Sequence, residues 1–334
     1  MFFPVTFGGC SKAFAAATFP ATLQWTIAGH DGASTWVAAG LASNLENPVA
    51  YSLDGGATWS AGTGAYTDAF STDGLAHNGT IWSCLGADSG THKAMTSTNG
   101  QAWTQRALTG FQLNTDSPNS YIAIGATFYG VGNLVQRHLY SSSNGYDFSV
   151  NSNVLPNAGQ AWSGLASNGV TAVAVAGGTS GNTNVAGKIA IGDLPAGAWT
   201  ATTMSDNSTW WYVIWTGRIY FAVGAPGIGA KSTDDGATWS QLTIPTATDR
   251  GGITITKYGV PCATDSGMII LPIETVSDSG TTEICYVSCD DGATWISQSV
   301  AQAGKWAGSG SDGSAVVVVG TDTGSGSTKA SYST

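Results

Sequence analysis

SLDGGATW, from Ser52 to Trp59, returns as STDDGATW from Ser232 to Trp239 and as SCDDGATW from Ser288 to Trp295. Two shortened copies lie between them, STNGQAW from Ser97 to Trp103 and SSNGYDF from Ser142 to Phe148. A small-polar, acidic, glycine and aromatic pattern repeated in this way marks one supersecondary unit used many times. Each copy, here called a box, reads as a hairpin turn. Its Asp or Asn (Asp54, Asn99, Asn144, Asp234, Asp290) is expected to accept hydrogen bonds from backbone N–H groups one or two residues on. The glycine that follows (Gly56, Gly100, Gly145, Gly236, Gly292) supplies a positive φ without a Cβ clash. The closing aromatic (Trp59, Trp103, Phe148, Trp239, Trp295) opens the next strand. It can bury roughly 150–250 Å² against a neighbouring sheet. These residues read as turn-makers and wedges, not as ligands.

A second element precedes each box, a β-branched or aromatic run ending in glycine. It ends at Gly40, Gly86, Gly132, Gly177 and Gly224, positions 45 to 47 residues apart, and again at Gly320. Between the last two lies GMIILPI, from Gly267 to Ile273, where Pro272 stands in place of the glycine. Seven copies at a nearly constant period match the length of a four-stranded propeller blade. The first strand of a copy opens on an aromatic followed by a small turn, as at Trp25, Trp162 and Trp306. The fourth copy carries only a degenerate box, IGDLPAGAW, ending at Trp199.

The boxes resemble the Asp-box, or BNR repeat, of sialidases and many other β-propeller proteins. The resemblance and the period together predict an all-β chain forming a single seven-bladed β-propeller of four-stranded antiparallel blades, with six blades as the alternative. The blades are expected near 25–64, 65–110, 111–157, 158–206, 207–247, 248–301 and 302–334, in one domain spanning 1–334. The seventh copy has the lead-in Lys329 to Ser333 but no outer strand after it. Phe14 precedes Trp25 by 11 residues, as Trp295 precedes Trp306. The N-terminal segment 1–24, near Ala13 to Thr18, is therefore expected to complete the last blade and close the ring.

Charged residues are 10% of the chain, with 11 Lys plus Arg against 21 Asp plus Glu, a formal net charge of −10. That balance argues against nucleic acid and against anionic membrane surfaces as partners. No run of 18 apolar residues predicts membrane insertion. MFFPVTFGGCSKAF has no basic region ahead of an apolar stretch, so no secretory signal is expected. The five cysteines (Cys10, Cys84, Cys262, Cys285, Cys289) are odd in number and lack zinc spacing. Cys285 and Cys289 share a strand face too far apart to bridge each other, and the set reads as buried thiols made in a reducing compartment.

Sialidase activity would imply a triad of arginines, a tyrosine nucleophile paired with glutamate, and an aspartate acid/base. The chain has four arginines, Arg106, Arg137, Arg218 and Arg250, and its only Arg-Ile pair, Arg218-Ile219, lies in a core strand run. The three glutamates, Glu46, Glu274 and Glu283, have no evident tyrosine partner. A glycosidase of another kind needs two carboxylates across a cleft, and most aspartates here occupy turns. The histidines are scattered, His30 and His77 falling at equivalent turn positions. No enzyme, cofactor or metal is expected. For partner binding two residues stand out: Trp210, read as an extra beside a core Trp211, and Arg250 in the loop TATDRGG.

The chain resembles, in style, virion components of tailed bacteriophages, which are made in the host cytoplasm and act outside it. The expectation is a structural or interaction protein, tail-associated or decorating the capsid, whose partners are other virion proteins or a host-surface glycan or protein. The alternative is an extracellular bacterial glycan- or protein-binding propeller, and a sialidase-like hydrolase ranks below both.

Overall fold

The computed structural model describes residues 10, 12–17, 19–20, 23–41, 47–64, 71–88, 91–110, 118–132, 137–156, 161–177, 185–247, 253–276, 282–321 and 328–333. Blade 1 is the antiparallel sheet Gln24–His30, Trp36–Leu41, Val49–Ser52 and Ser60–Ala61. The same meander, innermost strand first, forms blade 2 from Ser71–His77 to Thr104–Ala107 and blade 3 from Pro118–Ile124 to Ser149–Asn151. It recurs in blade 4 from Ala161–Ser167 to Thr200–Thr203, and in blade 5 from Trp210–Trp215 to Ser240–Thr243. Blade 6 departs from the pattern because proline cannot donate to a ladder. Its inner strand is split around Pro261 into Ile255–Tyr258 and Cys262–Ala263, and its second strand around Pro272 into Ile269–Leu271 and Ile273–Val276. The 16-residue strand Ile296–Ser311 then runs without a break from the outer edge of blade 6 into the inner edge of blade 7.

The ring closes as the spacing predicts. Ala15–Ala17 pairs antiparallel with Thr328–Ser333, Ala15 opposite Tyr332 and Ala17 opposite Ala330, and so supplies the outer strand of blade 7. Phe14 packs against the cluster between blades 6 and 7 that includes Cys285 and Val287 of blade 6, where a box aromatic belongs. Buried apolar side chains among the described residues fall into seven clusters, each spanning one pair of adjacent blades. Seven blades thus meet at seven interfaces, the condition for a closed ring. Helix among the described residues is limited to the single 3-10 turn Ile191–Asp193, where blade 4 carries its degenerate box.

The cysteines correct one expectation. Cys10 forms a disulfide with Cys289 in the box of blade 6, while Cys84, Cys262 and Cys285 remain buried thiols. Their sequence separation of 279 residues hid the pairing, because only ring closure brings the two ends of the chain together. The N-terminal segment is therefore held twice, by backbone pairing in blade 7 and by a covalent bond to blade 6.

Candidate functional site: the central channel

Two ends of the disc must be distinguished. The turns joining first to second strands and all the boxes lie at one end, because Trp36 pairs with both His30 and Ser52. This end is called the box face. In the full boxes the aspartate reaches further than expected, four residues rather than one or two. Asp54 Oδ1 accepts from the Thr58 backbone N–H at 2.9 Å and from the Ser52 hydroxyl at 2.8 Å, and Oδ2 accepts from the Thr58 hydroxyl at 2.6 Å. Asp234 and Asp290 repeat the arrangement. The shortened boxes close sooner, Asn99 accepting from the backbone N–H groups of Gln101 and Ala102 and Asn144 from those of Tyr146 and Asp147. The Thr238 hydroxyl, outweighing desolvation, pulls the Asp234 carboxyl down to about 2.

The box glycines and aromatics face the preceding blade. Gly56 has φ 92°, and a Cβ there would stand 2.6 Å from Val317 Cγ2 of blade 7. Gly236 stands in the same relation to Val173 of blade 4, and Gly292 to Leu242 of blade 5. Trp59 shares a buried cluster with Val317 and Val319 of blade 7, Trp103 with Val37 of blade 1, Phe148 with Leu85 of blade 2, and Trp239 with Val173 of blade 4. Trp295 lies tilted against Phe221 of blade 5 at a centroid distance of 5.6 Å. The boxes are joints between blades, and they do not converge on a ligand.

The innermost strands do converge. They enclose a cavity of about 450 Å³ to which every blade contributes, including Ile122, Leu165, Ile214, Trp215, Pro261 and Ser311. The cavity is a cup toward the box face, where Ser167, Trp215 and Ser311 end their strands and Ala123 stands next to the end of its own. Ile27, Gly74, Tyr212 and Val260 line both this cup and a second cavity toward the other face, a vestibule of about 200 Å³. No charged side chain lines the cup among the described residues. The vestibule holds Thr26, Thr72 and an ion pair, Lys257 Nζ to Glu274 Oε1 at 2.8 Å. Burial, reinforced by the nearby Glu274 charge, pushes the Tyr212 phenol above its usual range. Burial likewise raises the Cys262 thiol to about 12, so it lines the cup as a neutral group.

Trp210, expected at a partner surface, is fully buried between blades 4 and 5. It pairs with Gly224 as Trp25 pairs with Gly40 and Trp306 with Gly320, so it is the first-strand core aromatic. The surplus residue is Trp211, which occupies a β-bulge. Every first strand of blades 1 to 5 and 7 carries a register shift at this point, one residue past Trp25, Thr72, Pro118, Trp162, Trp210 and Trp306. Trp211 is half-buried against the blade 5–6 cluster. Arg250 lies outside the described residues. Arg218 sits on the box face, ion-paired with Asp291 at 2.9 Å and 3.4 Å from the Gly267 carbonyl. His30 and His77 occupy equivalent turns, each tilted over the next strand's tryptophan at 4.9 Å. No group of three or more His, Cys, Asp or Glu among the described residues is placed to hold a metal ion. The channel residues carried a faint signal, since the run WWYVIW from Trp210 to Trp215 is apolar throughout, too apolar for a strand with one wet face.

No protein-family model matches the chain, and no curated protein matches it in sequence. Solved structures do resemble it. A structure described as YCF48 bound to D1 peptide has a TM-score of 0.66 at 17% identity, covering 96% of this chain and 95% of that one. The β-propeller domain of Cps50 (Swd1) from Myceliophteria thermophila has a TM-score of 0.62 at 9% identity, covering 96% and 99%. The GH74 enzyme of Niastella koreensis has a TM-score of 0.57 at 14% identity, covering 92% of this chain and 52% of that one. Identities this low speak to architecture, and fold does not carry chemistry. By its own topology and by these likenesses, the chain is a seven-bladed β-propeller.

Proposed function

We propose that this propeller is a non-catalytic interaction module, built as a rigid disc, and that it serves as a virion component of a tailed bacteriophage, tail-associated or decorating the capsid. The observation carrying the interaction reading is the cup: a concave, apolar, uncharged site assembled by all seven blades, the form binding pockets take. Hydrolysis of a glycoside would ask for two carboxylates flanking one bond. The one carboxylate lining the described channel, Glu274, is engaged with Lys257. The Cys10–Cys289 bond supports action outside the cytoplasm, where disulfides persist. The virion reading joins that to the box resemblance and the low charge of the chain.

Mass spectrometry of gradient-purified particles tests it. The protein should band with intact particles at fixed stoichiometry, and its absence from them would remove the virion role. A free-standing protein-binding propeller is the second reading, favoured by the likeness to a propeller solved with a peptide bound. Selective capture of a glycan or peptide by the monomer, without particle association, would favour that reading. Turnover of a sialoside or related glycoside, lost in Arg218→Ala, would overturn the non-catalytic part of the proposal.

A further inference from the structure

The cup and its rim specify the chemistry of what enters, and this inference rests on the interaction reading above. The wall is apolar from Ile122 across Leu165 and Ile214 to Pro261, with Trp215 half-buried at the mouth beside Tyr220, ring centroids 5.0 Å apart. Half-buried tryptophans at the centre of a concave patch are the residues on which partner binding concentrates. The rim is different. Asp31, Asp265 and Asp312 occupy three of the turns around the mouth. Asp31 and Asp312 are fixed by backbone N–H groups of their own turns, Asp31 Oδ1 accepting from Ala33, Ser34 and Thr35, and Asp312 Oδ1 from Ser314 and Ala315. The box aspartates stand behind them on the same face. Among the described residues two cations reach these turns, Arg218, already paired with Asp291, and Lys12, whose Nζ donates to the Ser314 carbonyl at 2.7 Å, so the three rim aspartates still leave an excess of negative charge.

We infer that the box face receives an apolar peptide tip flanked by lysine or arginine, contributed by a partner polypeptide. The apolar side chains fill the cup, where a charged group would be desolvated without a counterion. The flanking cations meet the aspartate rim, where complementarity sets orientation and excludes acidic competitors. The occupant enters from the box face because the uncharged apolar wall runs to that face, whereas the vestibule beyond Ile27, Gly74, Tyr212 and Val260 carries the Lys257–Glu274 ion pair.

The test uses the full oxidised chain and three fluorescein-labelled heptapeptides: a Leu-Phe-Leu core between lysine pairs, the same core between glutamate pairs, and a triple-serine core between lysine pairs. Anisotropy should give the first peptide an affinity at least about tenfold above the other two, falling as salt rises. Ala123→Trp, which fills the cup, should weaken it by about tenfold or more. Asp31→Asn with Asp312→Asn keeps the turn acceptors, and should weaken only the lysine-flanked peptide and flatten its salt dependence. If Ala123→Trp does not fold, the double Asn variant carries the test. Equal binding of the lysine- and glutamate-flanked peptides, binding of the serine core, or no binding at all would overturn the inference. So would uptake of a small apolar molecule with no peptide selectivity. Particle association is a separate measurement, so loss of the virion role would leave this result standing.

Discussion

Cys10 is disulfide-bonded to Cys289, and the two Cα atoms are 5.8 Å apart although 279 residues separate them in the chain. The bond ties the segment ahead of the closing strand to the box of the neighbouring blade. It lies beside the one place among the described residues where a single strand, Ile296–Ser311, serves two blades without interruption. Blades 6 and 7 are thus joined covalently, by backbone continuity and by the N-terminal strand.

Removing the bond should loosen ring closure first. Cross-links over loops longer than 100 residues stabilise by roughly 2–5 kcal/mol, mostly through the unfolded chain. Cys10→Ser should lower the urea midpoint accordingly, and the same loss should appear when the native protein is reduced. Limited proteolysis should then cut the N-terminal segment before any blade. An unchanged midpoint and protease pattern would mean that strand pairing alone holds the ring.

Gly55 and Gly56 offer an internal comparison. Both have positive φ, 74° and 92°, yet a Cβ on Gly55 meets nothing within 4 Å whereas one on Gly56 meets Val317. Gly55→Ala should cost about 1–2 kcal/mol of backbone strain. Gly56→Ala adds an overpacking cost of about 1–3 kcal/mol. Val317→Ala combined with Gly56→Ala should recover part of the second cost, read as a coupling energy in a double-mutant cycle by chemical denaturation.

Trp210 and Trp211 separate core from bulge. Trp210→Ala should cost about 3–5 kcal/mol, the range for emptying a large buried aromatic site. Trp211→Ala leaves a half-exposed position vacant and should cost clearly less. Thermal unfolding of the two variants decides it, and the reverse order would reverse the assignment of the core aromatic.

The box aspartates govern acid stability. Burial raises the Asp54 and Asp290 carboxyls, but hydrogen bonds from Thr58 and Thr294 outweigh it and leave both lowered, while Asp234 sits near 2. A carboxyl lowered by folding contributes stability that is fully present above its unfolded pKa of about 3.9, and that is lost as pH falls through the folded value. The melting temperature should therefore hold down to about pH 4 and drop between about pH 4 and 2. Asp234→Asn should flatten that drop.

What could be read from the chain and what could not divides along contact distance. A box is a local object: Ser52, Asp54, Gly56 and Thr58 bond to one another within a few residues, so residue type alone announces the turn. The longer reach of the aspartate, to the fourth residue on, goes with the extra residue and the threonine of the full boxes, whose hydroxyl engages the second carboxylate oxygen, and only the folded turn shows it. Trp210 and Trp211 were interchanged because a bulge inserts one residue, and a slip of one sends every following side chain to the other face. The channel went unseen since its wall residues are scattered over seven repeats and each looks like ordinary core.

Period, box chemistry and the offset of Phe14 from Trp25 by themselves determined the number of blades and the manner of closure. Each depends on hydrogen bonds and apolar spacing that neighbouring residues set. The disulfide, the burial of Trp210 and the apolar cup with its acidic rim were decided only by tertiary structure. They arise when blades far apart in the chain are brought around one axis, and no local pattern encodes which residues then face each other.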